Sequence, residues 1–119
     1  MAARISIMVL RLAVLVALIL GIFYWAGNYI VRTDVHQGVG IIAVICLWII
    51  AGTLATTKPG NAGIAIGAAI YGLIVIALGL TQDNILIGPA HDIIRTIHLL
   101  LGLGAIGFGE MLYARYKRI

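Results

Sequence analysis

Long apolar segments alternate with short polar connectors along the whole chain. The apolar segments cover residues 5–28, 35–56, 62–80 and 90–113, approximately. Each is close to the ~20 residues that a helix needs to cross the hydrocarbon core of a bilayer. Because lipid offers no hydrogen bonds to an exposed backbone, each segment must be helical. The pattern therefore predicts a single transmembrane domain over residues 1–119, an all-α integral membrane four-helix bundle.

The connectors predict how the helices follow one another. Residues 29–34 join the first two segments, and residues 57–61, TKPGN, form a turn of the Pro-Gly kind. The longest connector covers residues 81–89 and ends at Pro89, a residue suited to the first turn of the last helix. Short connectors of this kind favour antiparallel neighbours in one compact bundle.

The composition supports contact with the lipid bilayer. The chain is 63% hydrophobic and only 10% charged, whereas soluble domains average roughly 45–50% apolar and about 25% charged residues. A net charge of +4 does not indicate nucleic-acid binding, because the basic residues lie mostly at segment ends. The single cysteine, Cys46, lies in an apolar run and is expected to be a small packing residue.

The distribution of basic residues predicts the topology. One side of the predicted bundle carries most of them: Arg4, Lys58, Arg115, Lys117 and Arg118. The other side carries Arg32 together with Asp34 and Asp83. Because positively charged residues remain on the cytoplasmic side, both termini are expected in the cytoplasm.

Polar residues in the fourth segment need an explanation. His91 and His98 are seven residues apart, which places them within roughly 20° of one helix face and about 10 Å apart in depth. Arg95 lies between them on that face. Lipid disfavours such a stripe, so it should face the bundle interior or a partner subunit. His36 opens the second segment, and the topology therefore places all three histidines in the outer half.

Two interpretations of these residues remain open. In the first they are structural: His36 and His91 touch water or headgroups, Arg95 pairs with Asp92, and His98 forms an interhelical hydrogen bond. In the second, two histidines on different helices bind the iron of haem b. Arg95 and Arg32 lie on the correct side to meet its anionic propionates.

The identity of the ligands is also open at this stage. Matching depth favours His36 with His91, whereas His98 lies deeper and suits a buried iron. Three histidines also permit two sites, one of them shared between subunits. Zinc is disfavoured because no H-E-x-x-H or C-x-x-C spacing occurs in the sequence. Copper fits the ligand type, and no constellation supports nucleophilic catalysis.

Two stretches carry a family resemblance. VHQGVGIIAVICLW and GPAHDIIRTIHLLLGLGAIGFGEM resemble a group of uncharacterised small bacterial four-helix inner-membrane proteins. The resemblance implies a multi-pass protein of the bacterial inner membrane and no particular activity. More loosely, the layout is similar to membrane b-type cytochromes, whose haems are held by histidines on different helices. Three unevenly placed histidines depart from the evenly paired pattern of those cytochromes.

The sequence thus predicts a membrane b-type haem-binding protein that serves electron transfer or redox sensing near the outer face. One alternative is a small transporter or channel with a polar path along Arg95, His98 and Glu110. Another is a structural accessory subunit of a larger membrane complex. Glu110 itself is expected to form an interfacial ion pair with Arg115 or Arg11. Glycine-rich helix faces make a homo-oligomer plausible, and nothing in the sequence identifies the redox partner.

Overall fold

The computed structural model describes residues 1–118, and this part of the chain contains four α-helices and no β-strand. The helices are α1 (Ala2–Trp25), α2 (Thr33–Thr57), α3 (Ala62–Thr81) and α4 (His91–Lys117). Two short 3₁₀ turns, Pro59–Asn61 and Gln82–Asn84, flank α3. All four helices are long and apolar enough to cross a membrane. The predicted all-helical class is therefore confirmed, and four such helices are those expected of a multi-pass membrane protein.

The helix ends differ from the hydropathy pattern in a systematic way. α1 begins at Ala2 rather than near residue 5, and α4 continues to Lys117 rather than ending near residue 113. Hydropathy marks only the lipid-facing part of a helix, whereas backbone hydrogen bonding continues into polar residues. The expectation for Pro89 was wrong: it precedes α4, which begins at His91. Gly88, with φ of 97°, forms the bend before it.

The packed core lies in one half of the molecule. It draws on all four helices, and its most buried large side chains are Ile7, Leu10, Leu47, Ile50, Leu54 and Leu112. This half is built from the first half of α1, the second half of α2, the first half of α3 and the end of α4. We call it the terminal half. The opposite half contains His36 and His98, and we call it the histidine half. Most members of the core cluster described for residues 1–118 lie in the terminal half, and neither histidine belongs to the cluster.

A glycine allows a close contact between α2 and α3 around one aromatic side chain, Trp48. A Cβ on Gly72 of α3 would overlap the indole nitrogen of Trp48 and would lie 2.8 Å from Cγ1 of Val44. That indole Nε1 donates a hydrogen bond to the carbonyl oxygen of Ala69 at 3.3 Å. Such close approach by small residues is a major source of helix association in lipid, where no hydrophobic driving force exists between helices.

An ion pair joins α1 to α4 in the terminal half. Arg11 Nε lies 2.5 Å from Oε1 of Glu110, and Arg11 Nη2 lies 2.9 Å from Oε2. The predicted interfacial pairing of Glu110 is confirmed, with Arg11 as the partner. This two-point geometry fixes both side chains, and it neutralises both charges within helices that can span a membrane.

The outward faces are apolar, which is compatible with contact to lipid. On α1 the exposed large apolar residues recur every three or four positions: Met8, Leu12, Leu15, Ile19 and Ile22. Residues at this spacing share one helix face. That face needs an apolar surrounding, and a bilayer supplies it.

Gly72→Ala should destabilise the protein, whereas Gly63→Ala on the same helix should not. The new methyl group at position 72 meets Trp48, whose indole is held by Ala69, so we expect a loss of about 1–3 kcal/mol from overpacking. Position 63 has open space around it, and alanine there should add up to about 1 kcal/mol through helix propensity. Unfolding of the detergent-solubilised proteins by SDS, followed by circular dichroism, measures both changes. Equal changes in the stability of the two variants, in the same direction, would contradict the contact between position 72 and Trp48.

The Arg11–Glu110 pair can be tested by a double-mutant cycle. Arg11→Ala and Glu110→Ala should each lower the midpoint of SDS unfolding, because each leaves one charge without its partner. The double variant should be more stable than at least the worse single variant, since it leaves no unpaired charge. Strictly additive losses would show that the two side chains do not interact.

Candidate functional site

His36 and His98 meet inside the histidine half. Their ring centres are 6.0 Å apart, and the ring planes are inclined by 61°. His36 lies in the first turn of α2, whereas His98 lies in the third turn of α4. Their contact therefore requires α4 to begin about 6 Å farther out than α2, or about four residues of helix. The long connector before α4 accommodates this offset.

Both histidines bury a nitrogen without a hydrogen-bond partner. Nδ1 of His36 and Nδ1 of His98 have no partner among residues 1–118. The remainder of the His36 ring lies near the backbone carbonyl of Ala17 on α1. A buried polar atom left without a partner typically costs about 1–3 kcal/mol. Two such atoms in one small cluster are a feature that calls for a bound group.

Glycines on the two remaining helices face the histidine pair. A Cβ on Gly21 of α1 would lie 3.5 Å from Cε1 of His36, and a Cβ on Gly79 of α3 would lie 3.4 Å from Cε1 of His98. Larger side chains at these positions would press on the imidazoles. The pair is therefore bordered by bare backbone on both sides, so the space beside each ring is not filled by a side chain.

Aromatic and charged residues surround the site at its connector end. Tyr24 packs edge-on against His36, with 5.6 Å between ring centres, and its hydroxyl donates a hydrogen bond to the carbonyl oxygen of Arg32 at 2.9 Å. The guanidinium of Arg95 lies 5.9 Å from the centre of the Trp25 ring. These contacts place the backbone of Arg32 and the guanidinium of Arg95 at the connector end of the histidine half.

Each of these two cations has an acidic neighbour. Arg95 Nη1 lies 3.4 Å from Asp92 Oδ1, which is the pairing that the helix spacing suggested. Arg32 Nη2 lies 3.0 Å from Asp34 Oδ2. Both pairs are largely exposed, so they add little to stability, and either arginine can exchange its carboxylate for another anion.

The structure does not bring His91 into this cluster. Its Nδ1 lies 3.1 Å from the carbonyl oxygen of Ile85 in the α3–α4 connector. The sequence favoured His36 with His91 on matching depth, but the offset of α4 places His98 at the level of His36 instead. Throughout residues 1–118, no three His, Cys, Asp or Glu side chains come close enough to share a metal ion.

The spacing of the two imidazoles suits a metal with two protein ligands. Metal–imidazole bonds are about 2 Å long, so the centres of two rings on opposite sides of one metal lie roughly 6 Å apart. The observed 6.0 Å with the planes inclined by 61° is also the geometry of two rings in direct edge contact. Zinc sites require at least three protein ligands, whereas haem iron takes four nitrogens from its macrocycle and needs only two axial ligands from the protein.

Sequence reasoning missed three residues of this site: Gly21, Gly79 and Tyr24. Both glycines lie near the ends of their helices that lead into the outer connectors. Comparison of helix depths would have placed them beside the histidines. Tyr24, in the last turn of α1, packs on His36 in the first turn of α2 across the connector that joins the two helices.

No protein-family model, curated protein or solved structure matches the chain. The predicted resemblance to small bacterial four-helix membrane proteins is therefore not supported by a match. The function must be argued from the geometry of the site itself.

His98→Leu should not destabilise the cofactor-free protein and should raise its stability by about 1 kcal/mol, because it removes a buried nitrogen that has no partner. His91→Leu is the matched control, since it removes a nitrogen that does contact a carbonyl and should give no gain. SDS unfolding of both variants, purified from cells depleted of haem, measures the difference. A marked loss of stability in His98→Leu would show that this imidazole already has a partner within the protein.

Proposed function

We propose that the protein binds one haem b between His36 and His98 and uses it for electron transfer or redox sensing in a bacterial inner membrane. The observation that carries this proposal is the pair of facing imidazoles, 6.0 Å apart, each with a buried Nδ1 that lacks a partner. A metal bound between the rings would explain why two imidazoles are buried against each other in an apolar bundle.

The chain's own residues would hold and shield the group. His36 and His98 would each supply one ring nitrogen to the iron, from α2 and α4 respectively. Gly21 and Gly79 would present backbone rather than side chains to the two imidazoles. The haem iron would supply one-electron redox chemistry, and the apolar surroundings would favour its less charged state. Tyr24, packed on His36, would restrict rotation of that imidazole.

The cations of the connector end would meet the propionates. Arg95, packed on Trp25, is the better placed candidate because it lies one turn before His98 on α4. Arg32 is more exposed and would act at the rim. Guanidinium groups bind carboxylates through paired hydrogen bonds. His91, on the connector side of Arg95, would remain outside the iron's coordination.

The proposed arrangement in the membrane is an antiparallel bundle with both termini in the cytoplasm. The concentration of Arg and Lys at the terminal end supports this orientation. Haem would then lie near the outer face, where a redox partner could approach the connectors.

The absorption spectrum of the purified protein, first oxidised and then reduced with dithionite, tests the proposal. Protein from cells supplied with haem should show a Soret band and, on reduction, split visible bands that indicate low-spin iron with two imidazole ligands. His36→Ala and His98→Ala should each lose or shift these bands. His91→Ala should keep them, because His91 contacts the connector rather than the pair.

Two results would overturn this assignment. Absence of a Soret band in protein from cells with ample haem would exclude the haem-binding function. The alternatives would then be a small transporter or channel, or an accessory subunit of a larger membrane complex. Loss of the spectrum in His91→Ala, with retention in His98→Ala, would restore the ligand pair that matching depth favours.

A further inference from the structure

A second polar site lies at the opposite end of the molecule, where the α2–α3 turn meets the end of α4. A shallow cavity of about 300 Å³ is lined there by Lys58, Asn61, Arg115 and Arg118. Three of these four residues are cationic and none is acidic. An excess of positive charge around one cavity attracts anions.

Contacts within the protein orient these side chains. Arg115 Nη1 donates a hydrogen bond to Oδ1 of Asn61 at 3.0 Å. Lys58 Nζ donates to the carbonyl oxygen of Arg115 at 2.9 Å and also to that of Arg118. Lys58 thus holds the end of α4 against the α2–α3 turn. The contact with Asn61 uses one of the five N–H donors that a guanidinium carries, so Arg115 keeps donors for another partner.

We propose that this cavity binds the phosphate of an anionic phospholipid headgroup. Guanidinium groups are well matched to phosphate because they form paired hydrogen bonds with its oxygens. Basic pockets between membrane helices are suited to anionic headgroups.

The surroundings favour a lipid over free phosphate as the source of this group. Met111, one turn before Arg115 on α4, exposes its apolar side chain, and acyl chains can lie along this face. On another face of α4, Tyr113 packs under the Lys117 ammonium at 4.9 Å, as expected where a helix leaves the hydrocarbon for the headgroup layer. A phosphate held by the cavity would therefore be continuous with a surface that suits its acyl chains. The site is separate from the histidine pair and does not depend on haem.

Native mass spectrometry of the detergent-solubilised full chain tests this site. The protein is titrated with phosphatidylglycerol, with phosphatidylcholine of the same acyl chains, and with inorganic phosphate. Phosphatidylglycerol should be retained, and the other two should bind at least about fivefold more weakly, since each cation near a membrane surface contributes about a factor of five to binding of an anionic lipid.

Variants then locate the bound lipid. Arg115→Gln combined with Arg118→Gln should lower phosphatidylglycerol binding by roughly 25-fold, and Arg118→Gln alone by about fivefold. The single change leaves the Asn61–Arg115 contact intact, so it tests the site even if the double variant folds poorly. Arg4→Gln is the matched control: it removes an exposed cation near the same end, outside the cavity, and should change binding by less than about twofold.

Three outcomes would overturn the proposal. Equal retention of phosphatidylcholine would show that the headgroup charge is not recognised. Inorganic phosphate binding as tightly as the lipid would assign the cavity to a free anion. Equal losses in Arg4→Gln and Arg118→Gln would show a general attraction to the basic end rather than a site.

Discussion

The absence of hydrogen-bonding solvent inside a bilayer is the constraint on which this structure depends. Four long helices satisfy their backbone internally, and polar side chains within them find partners on neighbouring helices. Arg11 binds Glu110, and the Tyr71 hydroxyl donates to the carbonyl oxygen of Leu101 at 2.5 Å. The buried Nδ1 atoms of His36 and His98 are exceptions, because neither has a hydrogen-bond partner among residues 1–118. The same constraint makes such atoms costly in free energy unless a bound group contacts them.

The molecule divides its tasks between its two halves. The terminal half holds the shared core, in which Leu10, Leu47 and Leu112 are fully buried. The histidine half has few buried large side chains, and glycine backbone borders its imidazoles. Tight packing at one end supplies the stability that allows polar groups to be buried at the other. On the proposed function, the packed half would support a site that carries a cost in folding free energy.

The sequence was sufficient for the fold class but not for the site. Hydropathy located all four helices, because a bilayer requires about 20 apolar residues in each. The spacing of Asp92 and Arg95 anticipated their contact, and Glu110 was expected to pair with Arg115 or Arg11. The choice of His98 over His91 could not be predicted, because it depends on how far α4 extends past the start of α2. That offset is set by helix packing and connector geometry, and neither produces a periodic pattern in the sequence.

The uneven packing has a consequence for biogenesis. Most of the side chains that form the shared core belong to the terminal half and neither histidine is among them, so the packing that joins the helices there uses no residue of the histidine pair. A chain leaving the insertion machinery can pack the helices of its terminal half first, while the same helices can still move apart in the histidine half. On the proposed function, maturation would then be a late step on an already inserted scaffold, and a shortage of cofactor would yield an intact apoprotein rather than a degraded chain.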